Sequence, residues 1–401
     1  MHSIGSNNPK TIFDDWRSMV VSLYMTLVGY GVLVGIPVIS TAWVNLLGFN
    51  EVEVGRVAGA DLGGLSLGAV FTAFFIARFN RRWLVAVGIF IAVLANWLCI
   101  SMVEYNQVLW LRLLAGIGSG IYTAVAVASL GANSKPARAY NLMLFAFAFS
   151  QAAELHFLPM LSMSGIYWVF ITCFLITVPF IGWVPAYAHN NETQPSESDA
   201  SQLADVQQIQ IPKFVPWLCL IAIAITYINI GAYWTYIELA ALDDQATPSW
   251  VGKVLVWASF CSLVGCAFAT VLSNRFGLLR PLMVALLSMA LAVGLLANGI
   301  TDTKILISVF SFNFLWIFVD VYQMSTIANV DKTGRYASII PAAQGLGQII
   351  GPNIAASLLG LSLGYGAVFI LGAGAGIAAL LIYAYMFMRF RKNIPILAYA
   401  K

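Results

Sequence analysis

Apolar stretches of about twenty residues, the length that crosses a bilayer core, recur along the chain at approximately 18–47, 54–76, 83–103, 108–130, 139–161, 165–186, 214–239, 249–273, 281–300, 304–328, 338–361 and 364–388. Between the sixth and the seventh lies a long polar segment, Tyr187 to Lys213, rich in Asn, Gln, Ser and acidic residues. Its composition is that of a flexible linker. The pattern predicts an all-α membrane protein of twelve transmembrane helices, arranged as two six-helix bundles related by pseudo-two-fold symmetry. Residues 1–186 form the first bundle, 187–213 a cytoplasmic linker, and 214–401 the second bundle.

Composition agrees with the pattern: 60% of the 401 residues are hydrophobic, 9% are charged and the mean hydropathy is +0.85. A soluble domain carries about a quarter charged residues. The first seventeen residues lack a small-residue cleavage site, and the run that follows is too long for a signal peptide. A retained first span is therefore expected. Sixteen Lys and Arg fall on the side of the termini, including Lys10, Arg78, Arg81, Arg82, Lys135, Arg138, Lys332 and Arg335, against Arg56, Lys253 and Lys304 on the other. The excess of basic residues in cytoplasmic loops then places both termini in the cytoplasm of a cell with an inner or plasma membrane. The five cysteines (Cys99, Cys173, Cys219, Cys261, Cys266) sit in apolar runs without metal or disulfide spacing, and no metal or cofactor is expected.

The two halves repeat. An offset of 197 carries Arg78-Phe79 onto Arg275-Phe276, Gly68 onto Gly265, Lys135-Pro-Ala-Arg138 onto Lys332-Thr-Gly-Arg335, and Gln151 onto Gln348. Internal repeats of this kind mark secondary transporters. The same offset sets Gly351 where the first half has Glu154. Glycines at 55, 59 and 63, and again at 64 and 68, have the spacing that lets helix backbones approach closely.

The six-plus-six layout, the basic loop Ala77-Arg78-Phe79-Asn80-Arg81-Arg82 and the run Arg112-Leu-Leu-Ala-Gly116-Ile-Gly118-Ser-Gly120 resemble the major facilitator superfamily over essentially the whole chain. The layout is nearest to its twelve-helix drug and metabolite branch. The loop after the second helix departs from the family pattern by lacking Asp and Gly before its basic pair. The Gly-Pro motif that drug antiporters carry in the fifth helix is absent there, and a similar one stands in the eleventh as Gly351-Pro352. The resemblance implies alternating access powered by a proton gradient, and a central cavity lined by helices one, four, seven and ten.

Ionisable groups at membrane depth are functional candidates because their burial is costly. Counting 1.5 Å per residue puts Glu154 ~21 Å up the fifth helix, Asp61 ~10 Å and Arg112 ~6 Å below the opposite edge. One arginine would then serve two carboxylates, leaving one to carry a proton. Glu154, Asp61, Arg112 and Asp320 are the expected proton-coupling residues. Phe147, Gln151 and Glu154 share a face, as do Asn313, Trp316, Asp320 and Gln323. An inner-gate pairing of Asp320 with Arg335 or Lys332 is the alternative role for that acid. His156 is expected as a neutral imidazole between helices. The substrate-binding candidates are Tyr30, Gln151, Tyr227, Asn229, Trp234, Asn313, Trp316, Gln344 and Gln348, a mixture of rings and amides suited to an organic solute.

The expectation is a monomeric, proton-coupled secondary transporter of a small amphiphilic or aromatic solute, with export weighed over import. The alternatives are a proton symporter importing an organic acid or similar nutrient, an uncoupled facilitator, and a non-transporting membrane receptor. The solute and the lipid bilayer are the expected partners, and nucleic acid is not. Two Gly-x-Ser-x-Gly matches, at 64–68 and 360–364, lie in or beside membrane helices instead of the strand-to-helix turn that a hydrolase requires, so no enzyme is expected.

Overall fold

The computed structural model describes residues 11–134, 136–187, 212, 214–272, 275–330, 336 and 339–390. Most of the linker and Lys10, Lys135, Lys332 and Arg335 lie outside them, so the alternative partners of Asp320 do too. The long elements are all helices. α1 (Trp16–Leu47) consists of two segments, Trp16–Gly29 and Gly31–Leu47, that meet at Tyr30. It is followed by α2 (Glu51–Phe75), α3 (Arg81–Ser101), α4 (Tyr105–Gly131), α5 (Pro136–Phe157) and α6 (Met163–Ile176). The second half holds α7 (Phe214–Asp243), α8 (Pro248–Leu272, parted at Phe260), α9 (Leu279–Gly294), α10 (Asp302–Val330), α11 (Ile340–Gly360) and α12 (Gly364–Phe390).

Local chemistry explains the ends. Gly48 closes α1 in the left-handed region at φ 72°, where a side chain would be strained. Asn50 then starts α2 with a reciprocal cap, its Oδ1 accepting from Glu53 N at 2.9 Å while Glu53 Oε2 accepts from Asn50 N at 3.0 Å. Two spans are shorter than the hydropathy pattern. α6 gives way at Thr177 to a 3-10 stretch, Val178–Trp183, because Pro179 has no N–H to continue the ladder. α9 has 16 residues, about 24 Å of helix. The molecule thus has an Asn50 end and, opposite, an Arg81 end where Arg81 and Arg82 begin α3.

Within each half the helices approach through glycine. In a lipid setting no hydrophobic effect drives helices together, so close backbone contact matters most. Gly64 and Gly68 of α2 face the α4 backbone, and Gly116 and Gly120 of α4 face α2 in return. A Cβ at Gly68 would run into the carbonyl of Ile117, and a Cβ at Gly265 into the carbonyl of Phe314. Ile117 and Phe314 are themselves 197 apart, so the repeat read in the sequence is a repeat of contacts.

A second glycine face of α2 meets the other half. Gly55, Gly59 and Gly63 lie against Pro352, Asn353 and Ile349 of α11. Arg56 braces this seam by donating from Nη1 to Asn353 Oδ1 at 2.7 Å and from Nη2 to Ser357 Oγ at 2.9 Å. The halves also touch through α1 with α7 and through α5 with α8, which the repeat maps onto α2 with α11. Tyr236 of α7 donates to the Glu51 carbonyl at 2.8 Å across the same end. These hydrogen bonds between the halves cluster toward the Asn50 end.

At the Arg81 end the chain start is tied down. Asp14 accepts from Thr11 N (2.6 Å) and from both Ser134 N and Oγ (2.9 Å each). Slight burial pushes its carboxyl up, but the donors on Thr11 and Ser134 outweigh it and hold it below the usual carboxylate value. A depressed acid stabilises its tether above the ordinary value near pH 4, and this is lost as pH falls through its own lower value. Hydrogen exchange of residues 11–20 should accordingly be slow at neutral pH, and Asp14→Ala should remove that protection. On the α2–α4 face, Gly64→Val is expected to lower stability by about 1–3 kcal/mol through backbone overlap. Thermal unfolding followed by fluorescence-detected gel filtration measures it.

Candidate functional site

Between the halves lies a cavity of about 200 Å³, lined by α1, α2 and α5 from the first half and by α7, α8, α10 and α11 from the second. Its walls obey the repeat. Tyr30 and Tyr227, Leu65 and Ser262, Leu144 and Pro341, Phe147 and Gln344, and Gln151 and Gln348 are five lining pairs, each 197 residues apart. The cavity therefore sits on the pseudo-two-fold axis. Only the last of these pairs was noted in the sequence. Applying the same offset to Tyr30 would have found the tyrosine pair.

Asymmetry enters through α10. Asn313, Trp316 and Asp320 line the cavity, whereas their equivalents in α4, Gly116, Ser119 and Thr123, do not. The small residues of α4 let α1 and α2 close over it: Gly116 packs on α2, and Ser119 Oγ donates to the Gly29 carbonyl of α1 at 2.6 Å. The expectation that the fourth helix lines the cavity is corrected by this packing. The amide and acid groups are already ordered. Tyr227 OH donates to Asp320 Oδ2 at 2.7 Å, and Gln151 Nε2 donates to Asn313 Oδ1 at 3.3 Å across the gap between the halves. Asp320 Oδ1 is buried without a partner. Gln323, on the same stripe, is drawn out of the cavity into a 2.8 Å hydrogen bond with Thr226 of α7.

Seven of the nine substrate-binding candidates thus line one cavity: Tyr30, Gln151, Tyr227, Asn313, Trp316, Gln344 and Gln348. Asn229 and Trp234 do not. Asn229 is two residues from Tyr227, hence on the opposite face of α7, and lies against Gly372 and Gly376 of α12. Trp234 is on the correct face but two turns nearer the Asn50 end. There Phe312 stacks on it at 5.9 Å and Trp316 meets it edge-on, so it roofs the cavity without touching it.

Glu154 stands three residues beyond the lining residue Gln151, one turn toward the Asn50 end, where Gly31 and Gly35 of α1 lie over it. Its Oε1 accepts from Ser150 Oγ at 3.2 Å and its Oε2 is buried with no partner. The offset of 197 maps Gly31 and Gly35 onto Ile228 and Ala232, whose backbone Gly351 contacts in the second half. One half keeps its glycine on the eleventh helix. The other moves the glycines to α1 and admits an acid. His156 is also corrected: it is exposed at the end of α5, its ring against Phe157 at 4.9 Å.

Arg112 and Asp61 do meet. Nε donates to Asp61 Oδ2 at 2.7 Å, Nη2 binds the same oxygen, and Nη1 donates to Asn96 Oδ1 at 2.7 Å. Tyr167 covers the guanidinium, with 5.7 Å to its ring centre, and both charges are buried. Glu154 has no part in this group, which lies behind α2 and away from the cavity. The second half fills the equivalent positions with Ala258, Val293 and Val309, all fully buried. The second half thus builds the same contact from apolar groups alone. Arg112→Val alone would strand Asp61 and is expected to reduce stability by about 3–5 kcal/mol. Arg112→Val with Asp61→Ala and Asn96→Val should regain most of that loss in thermal unfolding.

The comparisons with known proteins agree with this two-bundle fold. Residues 19–352 match the model of the Major Facilitator Superfamily. A protein of Haemophilus influenzae described as a probable sugar efflux transporter is 26% identical over 209 residues, which is 49% of this chain and 50% of that protein. The match thus spans about half of that relative's length. A mutant form of the nucleoside transporter NupG superposes with a TM-score of 0.70 at 13% identity, covering 92% of this chain and 99% of its own. The D-xylose-proton symporter gives 0.69 at 15% identity, over 92% and 97%. The human organic anion transporter MFSD10 gives 0.62 at 16% identity, over 91% and 97%. With its paired bundles and axial cavity, and with most of its length matching the family model, the chain belongs to the Major Facilitator Superfamily.

Proposed function

We propose that the chain is a proton-coupled exporter of a neutral, polyhydroxylated solute of sugar or nucleoside size. The observation that carries this reading is the cavity lining: Gln151, Gln344, Gln348 and Asn313 supply paired donors and acceptors. Tyr30, Phe147 and Trp316 supply rings on which the apolar face of a sugar or base can rest. Asp320 is the one carboxylate in the described lining, and a negative charge there disfavours an organic anion. The amphiphilic body expected from the rings and amides gives way to a more polar solute. A sugar efflux description for one relative supports the class and the direction, and nucleoside and xylose transport for two structural neighbours support the class.

Orientation follows from charge. With the Arg81 end in the cytoplasm, the Asn50 end is external, and the arrangement described above is the inward-facing form, sealed outside by α2 on α11 and α1 on α7. Asp320, bound by Tyr227 and facing the cavity, is the group that carries the coupled proton. A solute hydroxyl that takes the Tyr227 hydrogen bond would link binding to the charge on the acid. Glu154 lies inside a bundle that moves as one body and is left out of the coupling.

Counterflow in proteoliposomes with labelled pentoses, hexoses and nucleosides tests the class. Exchange of at least one of them is expected, with Gln348→Ala and Asn313→Ala each weakening half-saturation by tenfold or more. Exchange of carboxylates or organic cations to the exclusion of these solutes would refute the reading. Asp320→Asn should retain counterflow while losing transport driven by a pH gradient, and Glu154→Gln should keep both within about twofold.

A further inference from the structure

One more pair of residues lies on the two-fold axis. Thr41 of α1 and Glu238 of α7 are 197 apart and stand beside each other where these two helices pack, the Thr41 hydroxyl donating to the Pro37 carbonyl at 3.2 Å. They stand eleven residues beyond Tyr30 and Tyr227 in the same two helices, ~16 Å along the axis toward the Asn50 end. The contact belongs to the α1–α7 seam between the halves, not to either bundle. A symmetric axial contact would place two like residues together. Here an acid faces an uncharged hydroxyl.

Glu238 is 8% exposed, and its Oε2 has no hydrogen-bond partner. The helices around α7 bring it no counter-charge. At this end α1 and α11 carry no ionisable group, and α12 offers only Tyr365. Arg56 of α2 is held by Asn353 and Ser357, and Lys304 of α10 by the carbonyls of Asn298 and Gly299. Lys253 of α8, Asp302 of α10 and Asp243 of α7 itself are exposed to the surroundings, and Glu51 opens α2 with its carbonyl taken by Tyr236. Among the described residues the only salt bridge joins Arg112 and Asp61. A charge sealed from water without a counter-charge is costly.

We infer that Glu238 is a proton-operated gate: the α1–α7 seam closes over the neutral acid and opens over the ionised one. On opening, water reaches the carboxyl and its O–H proton passes to the external solution. On closing, one proton is taken back from that side before the seam seals. This rests on the reading that the two halves rock apart at the Asn50 end. It gives the transporter a second proton site, ~16 Å from the solute cavity and separate from Asp320. The sign is fixed by the burial: alkaline external medium favours the open seam, acidic medium the closed one. One-proton linkage changes the open-to-closed ratio by up to tenfold per pH unit.

Spin labels at Asn45 and Asp243, exposed positions at the ends of α1 and α7, report the seam width by double electron–electron resonance in nanodiscs between pH 5 and 9. The wild-type protein is expected to show two distances, with the longer one gaining up to tenfold per pH unit. Glu238→Gln, which mimics the neutral acid, should hold the short distance at every pH. Glu238→Asp should keep the pH response with a displaced midpoint, which separates loss of titration from loss of fold. A Glu238→Gln protein with the wild-type pH response overturns the gate while leaving the transport reading intact. A wild-type seam that stays at one distance at every pH and with every solute overturns both.

Discussion

Backbone contact at glycine is the constraint on which the rest of the molecule depends. Lipid tails compete with side chains for apolar contact, so close approach and van der Waals packing have to hold the helices. α2 meets this demand on two faces at once. Gly64 and Gly68 hold it against α4, and Gly55, Gly59 and Gly63 let it lie on α11 of the opposite half. The first face buries Arg112 with Asp61 and withdraws α4 from the centre. The second closes the Asn50 end and brings Asn353 and Ser357 within reach of Arg56.

On that frame the axis carries the chemistry. Paired tyrosines and glutamines come from equivalent positions and give the cavity two similar walls. The departures from symmetry carry the specific chemistry: Asn313, Trp316 and Asp320 replace small residues of α4, and Glu238 stands opposite Thr41. The buried triad of Asp61, Asn96 and Arg112 is a departure of another kind, because its equivalents Ala258, Val293 and Val309 do the same packing without charge. A charge inside a bundle can serve as structure. A charge on the axis lies between the halves.

The spans, the two halves and the repeat were legible because hydropathy has the length scale of the bilayer and duplication leaves one constant offset. The stripe Asn313–Trp316–Asp320 was legible because helical periodicity orders a face. What periodicity leaves open is which part of a face is covered. Glu154 lies three residues from Gln151 and Trp234 seven from Tyr227, each on the face of a cavity residue, yet α1 covers one and Phe312 the other. Asn229, two residues from Tyr227, points away from the cavity toward Gly372 and Gly376 of α12. Depth counting correctly put Asp61 near Arg112, but depth says nothing about which side of a helix Glu154 presents to them. Gly31 and Gly35 were the missed signal: glycines on α1 make room for the acid that occupies the place of Gly351.

The central claim is that the α2–α11 seam is closed in this form and has to part for solute to cross. A disulfide between Gly59→Cys and Asn353→Cys, introduced in a background free of the five native cysteines, tests it most directly by counterflow before and after reduction. The account expects the cross-linked protein to lose exchange and to recover it with a reductant. Undiminished exchange through a fully cross-linked seam would contradict it.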